Sequence, residues 1–307
     1  MEIIRGIHNL RARHQGCVAT IGNFDGVHRG HQAVLRLTRE RAREHGAPST
    51  VILFEPQPLE FFAAENAPAR LHRLREKLEC LESLGLERVL CLRFNRALAD
   101  MEAAHFVQRV LVQGLGVRHL IVGDDFHFGH RRQGNFALLQ TIGAQVGFAV
   151  EATPSLTLDE HRVSSTAIRD ALQVGDLDAA ARLLGRPYRI GGHVVRGDQR
   201  GRTLGFPTAN VLLKRRVVPV RGVFAVRVHC LGPTSLPAMA NIGNRPTVGG
   251  VRTQLEVHLF DISQDLYGRY IEVEFVRYLR PEQRFQSLDA LKSQLALDEG
   301  AARAALK

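Results

Sequence analysis

Two histidines stand three residues apart, directly after the first apolar run of the sequence. Residues 22–31 read GNFDGVHRGH, so His28 and His31 follow a turn of small residues and precede a stretch of helical composition. A helix that begins this way presents unpaired backbone N–H groups and partial positive charge, which suits a phosphate. His28 and His31 would share one face of its first turn and donate to the same phosphate oxygens. An isolated H-x-x-H also fits a surface pair, a core pair or half a metal site, but the preceding turn favours phosphate.

Three hydroxyls and an arginine begin another predicted helix. Ser164, Ser165 and Thr166 are followed by Arg169 one turn later. Serine and threonine are ordinary N-cap residues, and capping requires only the first hydroxyl. The whole run therefore also has the donors that a triphosphate needs.

A carboxylate and an imidazole alternate on a predicted strand near the C-terminus. In residues 255–261, LEVHLFD, Glu256 and His258 share one face, and Val257 and Leu259 share the other. Such a polar face is usually just solvated, so catalysis by Glu256 needs support from other motifs. Upstream, Thr208 and Asn210 would point to one side of an extended segment, where a hydroxyl and an amide oxygen suit Mg²⁺ or its waters.

The elements that must position these residues differ between the two parts of the chain. Before about residue 155, five short apolar runs alternate with segments of helical period: 17–24, 50–56, 88–94, 119–126 and 148–154. Two of the predicted helices have apolar faces, formed by Leu71, Leu74, Leu78 and Leu81 and by Phe106, Val107, Val110 and Leu111. This order predicts a doubly wound parallel sheet of α/β class, with a ligand site at the carboxyl ends of its strands.

The pattern of apolar and polar residues changes near the Leu-Gly-Arg-Pro turn at 184–187. Alternating runs then follow one another with Gly and Pro turns and no helix between them, which predicts a small closed or nearly closed antiparallel β-barrel. A final helix is expected from Ser287, with Leu288, Leu291 and Leu295 on one stripe against the barrel. We therefore predict two domains, residues 1–185 and 186–307.

Composition limits the possible partners. The chain has 307 residues, 45% apolar and 23% charged, which is typical of a globular protein of two domains. Forty-one Lys and Arg against 31 acidic residues give a net charge of +10, and residues 187–307 hold 18 basic and 10 acidic of these. A nucleic acid, a membrane surface and a phosphorylated ligand all fit that charge, as does a solvated arginine rim.

Cysteine use and hydropathy favour a cytoplasmic protein with reduced thiols. The four cysteines form no C-x-x-C pair, and the N-terminus has no apolar core of a signal peptide. No apolar run approaches the ~20 residues that cross a bilayer. We therefore expect no insertion into a membrane.

The N-terminal motifs resemble the nucleotidyltransferase superfamily. With residues 54–58, FEPQP, and 123–129, GDDFHFG, they look like the FMN adenylyltransferase module of bacterial bifunctional riboflavin kinase/FAD synthetases. The resemblance implies a Rossmann-like domain in which His28 and His31 contact ATP phosphates during catalysis. It also implies an ATP/FMN site that includes Gly22, Asn23, Asp25, Gly30, Asp125, Ser164, Ser165, Thr166 and Arg169. His127 and His130 are interpreted as a surface pair without a ligand.

The C-terminal motifs follow the order seen in riboflavin kinases: PTAN, NIGNRPT, EVH, DLYG and YLRPE. The resemblance implies that Glu256 is the general base for the riboflavin 5′-hydroxyl and that Thr208 and Asn210 hold Mg²⁺-ATP. Residues 197–205 would form a flap over the phosphates. The implied ATP and flavin site comprises Gly197, Gly201, Arg202, Gly205, Pro207, Thr208, Asn210, Asn241 and Arg280.

The leading hypothesis is one chain with two activities, which converts riboflavin and ATP to FMN and then FMN and ATP to FAD. One alternative transfers a nucleotide to another phosphorylated metabolite, with a barrel that only binds ligand. Another alternative is nucleic-acid binding through the basic barrel, but that barrel lacks aromatic residues interleaved with basic ones, and the chain has no Trp. We expect small-molecule substrates only, no nucleic acid or membrane partner, and a monomer or transient homo-oligomer.

Overall fold

The structure is a computed structural model that describes residues 1–158, 160–197, 205–215, 217–247, 250–262 and 264–307, with only the backbone for 244–247 and 250–252. The chain forms two compact units. Unit 1 comprises Met1–Pro68 and Leu74–Ser164, and unit 2 comprises Ala69–Arg73 and Ser165–Lys307. The domain division at 185/186 stays a prediction.

Unit 1 is built on a six-stranded sheet in the order β1-β4-β3-β2-β5-β6, with every pair parallel. The strands are β1 (Glu2–Arg5), β2 (Val18–Ile21), β3 (Ser49–Glu55), β4 (Arg88–Arg93), β5 (His119–Gly123) and β6 (Ala149–Thr153). The five predicted strands are confirmed. Edge strand β1 was not predicted, because it has only four residues and one buried side chain.

Helices cover both faces of this sheet. They are α1 (Arg29–Glu44), α2 (Pro58–Phe62), α3 (Leu74–Ser83), α4 (Arg96–Ala99), α5 (Ala103–Phe106), a π-helix at Val107–Val112 and α6 (Phe136–Val146). On one face, Val51 packs with Leu35 of α1 and Leu81 of α3. On the other face, Ile52 packs with Val110 of the π-helix. The doubly wound arrangement is thereby confirmed.

Leu71 departs from the prediction. Helix α3 begins at Leu74, so Leu71 does not lie on its apolar face. Leu71 is fully buried in the core of unit 2 instead. Periodicity could not reveal this, because residues 69–73 continue the leucine spacing of α3 while their contacts lie in the other unit.

Unit 2 contains a closed antiparallel barrel in the order β10-β13-β12-β11-β14-β9, as predicted. Its strands are β9 (Arg189–Val195), β10 (Ala209–Leu212), β11 (Gly222–His229), β12 (Leu236–Thr247), β13 (Gly250–Leu259) and β14 (Tyr270–Arg280). A two-stranded ribbon in unit 1, β7 (Thr157–Leu158) and β8 (His161–Arg162), precedes helices α7 (Ser165–Gln173) and α8 (Leu177–Leu184) of unit 2. Helices α7 and α8 share the barrel's hydrophobic core.

Arg215 shows that the basic excess is not simply a solvated rim. Its Nη1 donates to the carbonyls of Arg70 and Leu71, at 2.9 and 3.1 Å, and to the Tyr188 hydroxyl at 3.3 Å. Arg73 donates to the Leu213 carbonyl at 3.3 Å. These bonds hold the segment Ala69–Arg73 within unit 2.

The C-terminal helix, α9 (Leu288–Ala305), begins at the Ser287 cap as predicted, with the Ser287 Oγ accepting from the Ala290 N–H at 3.1 Å. The predicted stripe is wrong at Leu288, whose side chain is 68% exposed. Ala302 instead packs with Met239 and Phe260 in a cluster that Leu295 joins. Helix α9 therefore covers part of the outer barrel surface.

Candidate active sites

The first candidate site lies at the topological switch point of the sheet. The chain passes from β2 to β3 on one side, whereas β5 pairs with β2 on the other. Loops that leave two neighbouring strands in opposite directions open a crevice at their carboxyl ends, where α/β proteins bind ligands. The turn at 22–28 and the loop at 124–130 border this crevice.

The turn after β2 brings the two predicted histidines together. His28 is the N-cap of α1, and its Nδ1 accepts from the backbone N–H of His31 at 3.3 Å. The two imidazoles stack with their centroids 3.6 Å apart and their planes 19° apart. Gly30 leaves room for this arrangement, because a Cβ there would lie 3.2 Å from the His28 Nδ1. The predicted shared face is confirmed.

The other predicted residues of this turn have different surroundings. The Gly22 N–H donates to the Ile52 carbonyl at 3.2 Å, which ties the start of the turn to β3. Asp25 is buried, with 3% of its surface exposed. The Asn23 carbonyl accepts from the ammonium of Lys77. The turn is thus held from within the protein.

The loop after β5 is joined to the β7–β8 ribbon by an ion pair. Arg162 Nη2 donates to Asp125 Oδ2 at 2.5 Å, and this contact lowers the pKa of the Asp125 carboxyl. His127 Nδ1 lies 2.8 Å from the Asp125 carbonyl. Among the described residues, no group of three or more His, Cys, Asp or Glu could hold a metal ion, so His127 and His130 form no such site.

An aromatic cluster lies at the ends of β3 and β4 and in helix α2. Phe94 makes edge contacts with Phe54, Phe61 and Phe62, at centroid distances of 5.5 to 5.8 Å. Phe62 is 64% exposed, although a phenyl ring is normally buried. Exposed rings of this kind suit stacking against a planar ligand. Sequence analysis singled out only residues 54–58 of this region.

The predicted hydroxyl motif spans the division between the units. Ser164 ends unit 1, whereas Ser165, Thr166 and Arg169 belong to unit 2 at the start of α7. The Arg169 Nε donates to the Ala69 carbonyl at 2.6 Å. Arg169 thus has a structural bond within unit 2, and its contact with a triphosphate stays a prediction.

The second candidate site is a polar row across three barrel strands. Glu256 on β13 pairs with Asn210 on β10 and with Asn241 on β12. Directly opposed residues in a sheet have Cβ atoms about 5 Å apart, so the three side chains are neighbours. The interior of the barrel takes Leu255 and Val257 instead. The predicted alternation along β13 is therefore confirmed.

The two asparagines of the row differ in their hydrogen bonds. Asn210 is buried, and its Oδ1 accepts from the Gln254 amide. Gly197 lies so close to the Asn210 amide that a side chain at that position would displace it. The Asn241 Oδ1 is buried without a hydrogen-bond partner among the described residues. A buried acceptor of this kind is costly unless a ligand or water supplies the donor.

His258 supports the segment that leads into the row. Its Nδ1 lies 2.8 Å from the Pro207 carbonyl, and its ring contacts Phe206 and Phe260. His258 is 8% exposed. Its contacts indicate a structural role beside Thr208.

A cavity of about 480 Å³ opens beside this segment. Its lining combines the Pro207–Ala209 segment with Val194, Leu259, Ile262, Gln264, Asp265, Leu266 and Tyr267. The Arg196 guanidinium lies 5.5 Å from the centre of the Tyr267 ring. The volume is in the range of small-molecule sites, and the arginine places a positive charge nearby.

Comparisons with known proteins bear on both sites. A family model described as FAD synthetase matches residues 10–167, and one described as riboflavin kinase matches residues 184–306. This chain is 55% identical in sequence to the bifunctional riboflavin kinase/FMN adenylyltransferase of Escherichia coli K12. It is 57% identical to that of Pseudomonas fluorescens and 50% identical to that of Haemophilus influenzae. The alignments cover 99% of this chain and 97%, 97% and 99% of those proteins. The chain belongs to the bifunctional riboflavin kinase/FMN adenylyltransferase family.

A solved structure has the same fold along the whole length. The crystal structure of a protein described as a macrolide-efflux protein from Streptococcus pneumoniae is 30% identical, has a TM-score of 0.84 and matches over 99% of both chains. The word efflux describes that protein and is not applied to this chain. Within the described residues of this family member, no helix is long and apolar enough to cross a membrane.

The predicted magnesium site of this family member has oxygen donors. Thr208 and Asn210 supply a hydroxyl and an amide oxygen, which are ligands that Mg²⁺ accepts, usually together with waters and substrate phosphates. The donor set therefore fits Mg²⁺ brought in with a nucleotide.

The remaining residues predicted for the kinase site are Gly201, Arg202, Gly205 and Arg280. Gly201 and Arg202 lie outside the described residues, as does most of the predicted flap 197–205. Gly205 occupies a left-handed turn, with φ of 86°. Arg280 forms a bidentate ion pair with Asp298 of α9, at 2.7 to 3.1 Å, and both side chains are largely buried. This partner was not identified from the sequence, because the helix that contains Asp298 was predicted only to pack against the barrel.

We expect Asp298→Ala to lower the free energy of unfolding by about 3 to 5 kcal/mol, because the substitution leaves the Arg280 guanidinium buried without its carboxylate. Chemical denaturation of the full chain measures the effect. Asp289→Ala, an exposed acidic residue in the first turn of the same helix, is the matched control, with a loss below about 1 kcal/mol. Equal, small losses in both variants would contradict a stabilising role for the pair.

Proposed function

We propose that this chain converts riboflavin and ATP to FMN in unit 2, and FMN and ATP to FAD in unit 1. The polar row Asn210–Glu256–Asn241 carries the proposal for the kinase, and the stacked His28–His31 pair at the start of α1 supports the adenylyltransferase. Both family models on one chain agree with this pairing of activities.

In the kinase reaction, Glu256 acts as general base. Its carboxylate takes the proton from the riboflavin 5′-hydroxyl, and the resulting oxygen attacks the γ-phosphorus of ATP, so that ADP leaves. The Asn241 Oδ1, which is buried and has no hydrogen-bond partner within the described part of the chain, is suited to accept a hydrogen bond from a substrate hydroxyl next to Glu256. The neighbouring cavity is suited to the nucleotide, with Arg196 near its rim.

Thr208 and Asn210 are the residues that would hold Mg²⁺, which neutralises phosphate charge when bound with ATP. The Asn210 Oδ1 is already oriented by Gln254, so the site is partly organised without ligand. This organisation favours a fixed geometry for the phosphates.

In the adenylyl transfer, an oxygen of the FMN phosphate attacks the α-phosphorus of ATP in line, and pyrophosphate leaves. This reaction needs no protein nucleophile, so the protein contributes positioning and charge neutralisation. His28, His31 and the N–H groups at the start of α1 are suited to the phosphates. The exposed Phe62 and its neighbours are suited to stack on the isoalloxazine ring.

The working form that we propose is a cytoplasmic monomer or transient homo-oligomer that acts on small molecules and binds no nucleic acid. The basic excess then serves ATP at the barrel and structure at positions such as Arg215. Light scattering across a range of protein concentrations tests the oligomeric state.

We expect the purified full chain, given riboflavin and Mg²⁺-ATP, to produce FMN first and FAD later. Chromatography of the products over time measures both steps, and samples with a chelator serve as the control. Accumulation of FMN without FAD would contradict the adenylyltransferase assignment, and the absence of FMN would contradict the kinase assignment.

A further inference from the structure

Lys77 is a fully buried lysine in α3, with none of its surface exposed. Its Nζ donates to the carbonyl oxygen of Asn23 at 2.5 Å. Taking an ammonium group out of water costs several kcal/mol, and an apolar side chain of similar size often stabilises a fold more. Lys77 therefore does something that packing alone does not require.

The carbonyl that Lys77 holds belongs to a strained turn. Phe24 and Val27 have positive φ angles of 46° and 41°, on either side of Gly26 at 80°. A positive φ is unusual for a bulky or β-branched residue and persists only where the surroundings impose it. Here Phe24 and Val27 are buried in one cluster with Leu81 of α3.

The turn is therefore fixed at both ends. The Lys77 ammonium binds the carbonyl at its start, and the Gln32 Nε2 donates to the Val27 carbonyl at 2.9 Å near its end. His28 follows at once as the N-cap of α1. Any movement of the turn would shift His28, His31 and the N–H groups between them.

The position of the charge is also informative. Burial raises the pKa of the Cys91 thiol on β4, Glu55 at the end of β3 raises it further, and Lys77 lowers it. The hydrogen bond to the Asn23 carbonyl places the ammonium at the turn, two residues after β2 ends. A fixed charge in such a low-dielectric setting acts on anions more strongly than one in water.

We propose that Lys77 is a positioning residue for adenylyl transfer, which fixes the turn at 23–28 for the ATP phosphates and places its ammonium group behind that turn. The inference depends on the proposed function of unit 1. Lys77 would act on the reaction through the turn that it holds, without contact with the substrate.

The test compares Lys77→Met and Lys77→Gln with the wild-type chain, and uses Lys292→Met, an exposed lysine of α9, as the matched control. For Lys77→Met we expect kcat/KM for ATP in FAD formation to fall about 100-fold, as expected when phosphate positioning is lost. The riboflavin kinase rate of the same sample should stay within about twofold of wild type, since its residues lie in unit 2. Thermal unfolding should occur at a lower temperature, because the Asn23 carbonyl loses its donor, so rates are compared below the unfolding temperature of each variant.

For Lys77→Gln we expect a smaller loss, about tenfold, because an N–H donor remains without the charge. Wild-type kcat/KM for ATP in a folded Lys77→Met protein would overturn the proposal, as would parallel loss of both activities. If Lys77→Met does not fold, Lys77→Gln decides: unchanged kcat/KM for ATP overturns the proposal, and a selective loss of FAD formation supports it. A wild-type chain that forms no FAD would instead refute the proposed function.

Discussion

Glu256→Gln is expected to reduce FMN formation from riboflavin by about 10² to 10⁴-fold and to leave the conversion of FMN to FAD unchanged. The substitution keeps the size of the side chain and its place between Asn210 and Asn241, but it removes the group that accepts the hydroxyl proton. Chromatographic assays that start separately from riboflavin and from FMN measure the two steps on one preparation.

Glu272→Gln is the matched control for this prediction. Glu272 lies on β14 between Ile271 and Val273, which are both in the barrel core, so its side chain also faces outward from a strand. We expect this variant to retain both activities. Loss of both activities in folded Glu256→Gln protein would refute the two-site interpretation, and an unaffected kinase rate would exclude Glu256 as the base.

His31→Ala is expected to give the converse result, with FAD formation reduced by about 10² to 10³-fold and riboflavin phosphorylation retained. The substitution removes one phosphate donor and also the ring that stacks on His28, so it disturbs both imidazoles. Initial rates at several ATP concentrations separate loss of binding from loss of turnover.

His105→Ala provides the comparison in unit 1. His105 is exposed in the short helix α5, and we expect its removal to change neither reaction. FAD formation at the wild-type rate in His31→Ala would show that the stacked pair has no part in adenylyl transfer. A decrease in both reactions would indicate general damage to the fold.

Local patterns predicted the parts of this fold in which neighbours along the chain decide the structure. Strands β2 to β6, the turn before His28, the alternation around Glu256 and the Ser287 cap all depend on a few adjacent residues. Edge strand β1 was missed because a short, mostly exposed segment has almost no periodic signal.

The remaining features depend on partners far along the chain. The contacts of Lys77 with Asn23, of Arg162 with Asp125 and of Arg280 with Asp298 each join a charged residue to a group whose distance could not be known from spacing. The same cause explains the wrong prediction for Leu71. The regular leucine spacing of α3 includes Leu71, although Leu71 packs in the core of unit 2. Charged residues inside apolar helical patterns, such as Lys77 in α3, are the signal that could have prompted a search.

The early segment Ala69–Arg73 has a consequence for the order of assembly during synthesis. Arg70 accepts its bond from a residue 145 positions later, and the Leu71 carbonyl accepts one from Tyr188, 117 positions later. These five residues leave the ribosome long before their partners exist, and segments made first generally fold first. Unit 1 must therefore close its sheet while the connection between α2 and α3 still lacks these partners. A nascent chain stalled before Arg169 lacks Arg169, Tyr188 and Arg215, whose side chains all bind this segment.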